Sequence, residues 1–238
     1  MSRDHTSPVW DRPEPKPRPI PVALDRDTIV RVSIALADAK GLDGVSLRKV
    51  GAALGAGAMR LYRFMSTKEE LLDLMVDAAY GEIVNVPAHP ADWREATTAL
   101  IQAMRRTALT HRWFAQLLGG RPPQGPNGLA YMEALLSALA GCPALPGIND
   151  VFQAGKTLTA YAIGAIMAEV HEGEAEAATG LKKAEWQAAS APYMRRMIAT
   201  GKFPTLARVV TDARHPSFND AFARGLEQVL DGIAAREN

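Results

Sequence analysis

Two arginines, Arg60 and Arg63, flank Leu61 and Tyr62 in the run GAGAMRLYRFMSTK, residues 55–68. Three residues apart on a helix, they project from one side while Leu61 turns inward. A guanidinium fits both guanine edges and phosphate oxygens, so this spacing suits a duplex major groove. Tyr62 can give its hydroxyl to a phosphate while its ring packs on the helix. Lys68, in the first turn of the next helix, adds a charge and backbone amides for the same anionic surface. A helix this short cannot stand alone, because nucleation costs more than a couple of turns return. Its neighbours must hold it.

Other chemistries find little support. The chain has no Gly-x-Ser-x-Gly elbow, no phosphate-cradling glycine loop and no His-Glu-x-x-His run, so no catalytic residue is assigned and an enzyme is not expected. The single cysteine, Cys142, allows no intrachain disulfide and no cysteine zinc site. Its setting, AGCPALPG, lacks the paired histidine or basic neighbour of a redox sensor. His111, His171 and His215 could read pH or bind a metal, but exposed or capping roles are the expectation. Glu169, His171 and Glu172 gather where a helix is expected to end, at the solvated stretch HEGEAEAATG. No cofactor and no metal are expected. No stretch reaches the ~18 apolar residues of a membrane span, and no apolar leader is visible. A cytoplasmic protein with no membrane partner is the expectation.

The elements around the basic run can be read from periodicity. Between Leu24 and Lys68 stand eight basic residues against four aspartates, an excess of four on a chain whose net charge is only +1. A local basic block of this kind is the electrostatic footprint of nucleic-acid binding. Residues 1–23 carry six prolines, five of them at every second position of RPEPKPRPIP, which predicts an extended, disordered arm. Asp25 can cap a first helix that carries Ile29, Val32 and Leu36 on one face and stops at Gly41. Ser46 can cap a second, with Leu47, Val50, Gly51 and Leu54 inward, and Gly55 can stop it. The short basic helix is predicted over Ala58–Met65, and Thr67 with Glu70 forms a capping box for the helix that follows. Further helices are predicted near 92–110, 113–118, 127–140, 149–172, 182–200 and 218–236, with no strand. The fold class is therefore all-α: an N-terminal helix-turn-helix bundle joined by a linking helix to a larger helical domain.

Helix, glycine turn and short basic helix make a helix-turn-helix whose second helix can enter a major groove. The stretch GLDGVSLRKVGAALGAGAMRLYRFMSTKEELLDLMVD resembles the DNA-binding segment of the tetracycline-repressor (TetR) family of bacterial regulators. The matching residues are Gly44-Val45-Ser46, Leu54-Gly55-Ala56, Leu61-Tyr62-Arg63-Phe64-Met65 and Lys68-Glu69-Glu70-Leu71. The likeness covers roughly residues 24–83, leaving 84–238 as a ligand-binding and dimerisation domain. Two departures stand out: Gly57 replaces the usual Ser or Thr cap of the recognition helix, and Phe64 replaces a frequent histidine. The resemblance implies that Ser46, Tyr62 and Lys68 touch phosphates. It places Arg48, Met59, Arg60 and Arg63 against base edges or neighbouring phosphates of double-stranded operator DNA.

In that family the C-terminal helices make a homodimer and hold a small-molecule inducer. TAYAIGAIMAEV and FNDAFARGLEQVLDGIAA are apolar helices that could pair across a two-fold axis. LLGGRP, residues 117–122, resembles the Leu-Gly-x-Arg-Pro turn of the tetracycline repressor. Leu117 and Ala168 stand where that repressor carries its metal-holding histidine and glutamate, so the resemblance does not extend to a magnesium–tetracycline ligand. Ligand-binding candidates are Trp113, Phe114, Leu117, Met132, Leu136, Tyr161, Met167, Trp186 and Tyr193. The function expected is a repressor released from its operator by an apolar or amphipathic ligand. The alternative is a regulator without an inducer, answering to a protein partner or to its own concentration.

Overall fold

The computed structural model describes residues 24–84 and 92–235. The proline-rich arm expected over 1–23 lies outside these residues. The described chain is helical throughout, with no strand. Helix α1 (Arg26–Lys40) begins at Asp25, whose carboxylate accepts the Thr28 amide at 2.7 Å. That bond holds the Asp25 carboxyl below the usual carboxylate range. The buried face runs through Ile29, Ser33 and Ala37, a strict four-residue repeat, so Val32 and Leu36 are only half-buried. Ser33 donates its buried hydroxyl to the Ile29 carbonyl at 2.8 Å.

A 3-10 turn (Leu42–Gly44) leads to α2 (Leu47–Ala53), capped as expected by Ser46, whose Oγ accepts the Lys49 amide at 3.2 Å. Glycine is required in the turn that follows. Gly55 adopts φ of +62°, and a Cβ on Gly51 would sit 2.9 Å from the Ala56 carbonyl oxygen. Helix α3 spans only Ala58–Leu61 rather than reaching Met65. Beyond Leu61 the chain tightens: the Phe64 amide bonds the Leu61 carbonyl three residues back at 2.8 Å.

Helix α4 (Lys68–Val84) starts on Thr67, whose Oγ1 accepts the Glu70 amide at 3.1 Å. The capping box is displaced by one residue, because the Glu70 carboxylate takes the Ser66 amide instead of that of Thr67. α4 packs on α1 and also on α5 (Trp93–Thr110) and α7 (Pro126–Ala140), so it is shared between the two halves. The C-terminal half adds α6 (Arg112–Leu117), α8 (Ile148–Thr179), α9 (Lys183–Ala199), α10 (Pro204–Asp212) and α11 (Phe218–Ala234). Its core joins Ile101 and Met104 of α5, Phe114 of α6, Leu139 of α7, and Leu158 and Ile166 of α8, each at most 1% exposed.

Further expectations fail in the C-terminal half. HEGEAEAATG is not a loop: α8 continues to Thr179 and ends only at Gly180, with φ of +71°. Glutamate and alanine are good helix formers, and α6 supports the tail through Gln116, which donates to Glu174 at 3.1 Å. Glu169, His171 and Glu172 therefore sit within a helix rather than at its end. Helix α10 was not foreseen, although Pro204 at its first position is a start signal. Neither α9 nor α10 buries a single residue in this chain.

Candidate nucleic-acid interface

The recognition surface is built from inside out. Leu61 is 0% exposed and Met65 3%, and these two apolar anchors fix α3 against the bundle. Anchoring one side presents the other: Met59 is 79% exposed and Tyr62 51%, with Arg63 exposed and Arg60 half-exposed. On α2, Arg48 is exposed as well. None of the Arg48, Arg60 and Arg63 side chains has a hydrogen-bond or ion-pair partner among the described residues. Three unneutralised guanidinium groups on adjoining short helices form a surface suited to a polyanion.

The other expected contacts are partly engaged. The Ser46 oxygen caps α2, yet its hydroxyl proton remains available to a phosphate. Lys68 is half-buried and donates to the Leu42 carbonyl at 3.3 Å, while Lys49 donates to the Asp43 carbonyl at 2.6 Å. Both lysines thus brace the loop between α1 and α2 from its edges. Gly57 makes no side-chain cap on α3.

The ligand candidates scatter. Trp113 and Phe114 are core residues at 2% and 0% exposure, and Leu117, Met132, Leu136, Tyr161 and Met167 are half-buried. Tyr161 turns to α11, donating to the Phe222 carbonyl at 2.7 Å, and burial raises its phenol above the ordinary range. Trp186 and Tyr193 do not join the others. They are 57% and 58% exposed on α9. Sequence reasoning missed a tighter aromatic group, in which the Tyr80 ring of α4 lies 5.3 Å from Phe114 and 5.2 Å from Tyr131. Burial pushes the Tyr80 phenol up to about 12, and it pushes the more deeply buried Tyr131 higher still. The Tyr131 and Thr97 hydroxyls are buried without a hydrogen-bond partner among the described residues.

Comparison with known proteins decides what scaffold carries this surface. The family described as tetracyclin repressor-like, C-terminal domain, matches residues 86–237. The HTH-type transcriptional repressor DrrR1 of Streptomyces coeruleorubidus is 35% identical over 229 residues, covering 94% of this chain and 83% of that one. An HTH-type transcriptional regulator of Saccharopolyspora erythraea is 36% identical over 231 residues, covering 95% and 91%. The chain belongs to the TetR family of transcriptional regulators. Among solved structures, ActR of Streptomyces coelicolor in complex with actinorhodin superposes with a TM-score of 0.76 at 27% identity, covering 90% of this chain and 97% of that one. TetR-family members are regulators, not enzymes, in keeping with the sequence expectation. No helix among the described residues is long and apolar enough to cross a membrane.

In this TetR-family chain the junction between the DNA-binding helices and the larger domain is polar, which periodicity did not reveal. His111, expected to cap or to be exposed, caps the end of α5 but is only 8% exposed. Its Nδ1 lies 2.8 Å from Asp38 Oδ1 of α1, and its Nε2 lies 3.3 Å from Glu82 Oε1 of α4. The Trp113 indole donates to the same Asp38 oxygen at 2.8 Å. Beside this cluster opens a cleft of about 250 Å³, bordered by Asp38, Thr110, Arg112, Trp113, Gln116 and Glu174. The signal that could have found it is an acidic residue late in α1 facing the His-Arg-Trp that opens α6.

Proposed function

We propose that this chain is an operator-binding repressor released by a small apolar or amphipathic ligand. The observation that carries the DNA half is the unpaired set Arg48, Arg60 and Arg63, displayed beside Tyr62 on a helix held down by Leu61. Ser46, Tyr62 and Lys68 position the module on phosphates, and Arg48, Met59, Arg60 and Arg63 meet base edges or adjoining phosphates. Residues 24–83 form this module and residues 84–238 the ligand and dimer domain.

A homodimer brings two such modules to an inverted repeat, with half-sites one or more helical turns apart, about 34–36 Å per turn. Helix α8 supports this reading: Ala160, Gly164 and Ala168 are exposed at a four-residue spacing, and a Cβ on Gly164 would meet nothing within 4 Å. Such a face lets a second helix approach closely. A glutamate in place of Gly164 separates the subunits and lowers operator affinity with them, as sedimentation and binding measured together would show.

The ligand half is supported by the partnerless Tyr131 and Thr97 hydroxyls among apolar side chains, and by the complex of ActR with actinorhodin. A buried hydroxyl without a partner costs about 1–3 kcal/mol, which a ligand oxygen can return. The alternative, regulation without an inducer, has no comparable observation in its favour. The test begins by selecting duplexes from a random pool with the purified protein. The proposal expects an inverted-repeat site, and it expects Lys68→Ala to lower the salt slope by about one for every sequence alike. Random DNA binding as tightly as the best selected site overturns the repressor reading. An inducer must in turn bind the operator complex more weakly than the free protein, by the same factor with which it weakens the operator. Equal ligand affinities in the two titrations remove the inducer and leave DNA binding intact.

A further inference from the structure

The imidazole of His111 touches both helices that carry the DNA-binding module into the larger domain. Asp38 lies in the last turn of α1, and Glu82 lies near the end of α4. His111 itself belongs to the larger domain, at the joint between α5 and α6. An ionised carboxylate only accepts hydrogen bonds, so each ring nitrogen facing one must donate. Asp38 already accepts the Trp113 indole, which fixes it as an acceptor. A neutral ring can satisfy one side only and turns a lone pair toward the other carboxylate. The doubly protonated ring satisfies both.

We propose that His111 is a protonation-dependent latch between the two halves of the molecule, so that operator binding responds to pH through this one side chain. The inference rests on the operator-binding reading above but not on any inducer. The groups facing the latch are Asp38 from α1, Glu82 from α4, Arg112 and the Trp113 indole from α6, and Glu174 of α8 across the adjoining cleft. Arg112 and Glu174 border the cleft beside the cluster, whereas Asp38 and Glu82 lie at the ring nitrogens themselves. Of the two contacts, the one at 3.3 Å to Glu82 is the longer, and Glu82 keeps half of its side chain in solvent. The Asp38 side is further held by Trp113. Loss of the proton therefore frees the end of α4 from the His111 ring, while the ring stays on the Asp38 side. The protonated ring closes the latch on both sides, and the neutral ring opens it at Glu82. α4 begins at Lys68, directly behind the recognition helix, so its freedom bears on how α3 is presented.

Two measurements test this. First, a double-mutant cycle on unfolding with His111→Gln and Glu82→Gln, run at pH 6 and pH 8, reads the contact itself. The latch predicts non-additive effects at pH 6 and additive ones at pH 8; additivity at both overturns it. Second, affinity for the selected operator is measured across the same range at constant salt. The wild type is expected to change by about fivefold, Glu82→Gln to respond markedly less, and His171→Gln to keep the full response. Glu82→Gln keeps this arm decisive even where His111→Gln folds poorly, because the side chain it alters is half-exposed. A response that survives undiminished in Glu82→Gln, or a wild type with none, overturns the latch. Absence of any sequence-selective binding at either pH instead condemns the operator reading itself.

Discussion

Arg60 and Arg105 carry the same side chain into opposite circumstances. Arg105 of α5 is clasped: its Nε and Nη2 reach the two oxygens of Glu169 on α8 at 2.7 and 2.9 Å, and its Nη1 donates to Asn219 at 2.9 Å. The Cζ of that guanidinium also lies 4.9 Å from the centre of the Phe222 ring. Every part of the fork is engaged, and the contact joins α5 and α8 to α11. The Arg60 guanidinium of α3 has no partner among the described residues, and those of Arg48 and Arg63 share that state. The contrast separates structural charge from functional charge. A guanidinium satisfied within the chain holds helices together, whereas one displayed beside its like awaits an anion from outside.

The contrast is broken or kept by two substitutions. Arg105→Ala leaves Glu169 largely buried, its side chain 17% exposed, with no countercharge. Removing one partner of a buried pair costs 3–5 kcal/mol; with some solvent access here the expectation is about 3 kcal/mol of stability. Denaturant unfolding at fixed protein concentration measures it. Arg60→Ala is expected to move stability by no more than about 0.5 kcal/mol. It should instead relax base preference at one position per half-site, at ~1–3 kcal/mol of discrimination. If Arg60→Ala destabilises the fold as Arg105→Ala does, Arg60 is a structural charge and not a displayed one.

This difference also explains what could be read in advance. The DNA-binding module was legible because its physics is local. Caps at Asp25 and Ser46, the tight turn at Gly51 and Gly55, and the inward Leu61 all act within a few residues of themselves. The interior of the second domain depends on contacts distant in sequence. Nothing near Tyr161 announces that its hydroxyl belongs to Phe222, and nothing near Trp186 shows that α9 buries no residue in the single chain. An aromatic residue on an amphipathic helix reads identically whether it faces a cavity, a neighbouring helix or solvent. Periodicity therefore groups Trp113, Phe114 and Trp186, and it does not single out Tyr80 and Tyr131, which do touch.

The second domain holds its own version of the unsatisfied group, at smaller scale. Tyr131→Phe removes a buried hydroxyl that has no partner among the described residues and leaves the ring against Tyr80. The ligand-free protein is expected to gain about 1 kcal/mol, the lower end of the cost of an unsatisfied polar group. Affinity for an inducer whose oxygen meets this hydroxyl should fall at the same time. Calorimetric unfolding of wild type and variant checks the first part without any ligand. A destabilised Tyr131→Phe would mean that the hydroxyl is already satisfied, and the ligand argument built on it would fall.

The smallest effect concerns the start of α3 itself. Gly57 occupies the N-cap with φ of −69° and ψ of 144°, an extended conformation that any residue adopts. A Cβ placed there meets nothing within 4 Å, so a serine fits without displacing a neighbour. Its hydroxyl could accept an amide of the first turn, as Ser46 does for α2, and replacing glycine with a good cap is worth a few tenths of a kcal/mol. Serine also restricts the unfolded chain, which adds in the same direction. The gain falls on a helix of four residues, held from beneath by Leu61 and Met65 and against α2 at Gly51. Gly57→Ser is therefore expected to raise stability slightly, to slow amide exchange at Met59 and Arg60, and to tighten the operator complex by pre-ordering its reader. Unchanged exchange at those two amides would mean that α3 is already as rigid as its anchors make it, and that the missing cap costs this surface nothing.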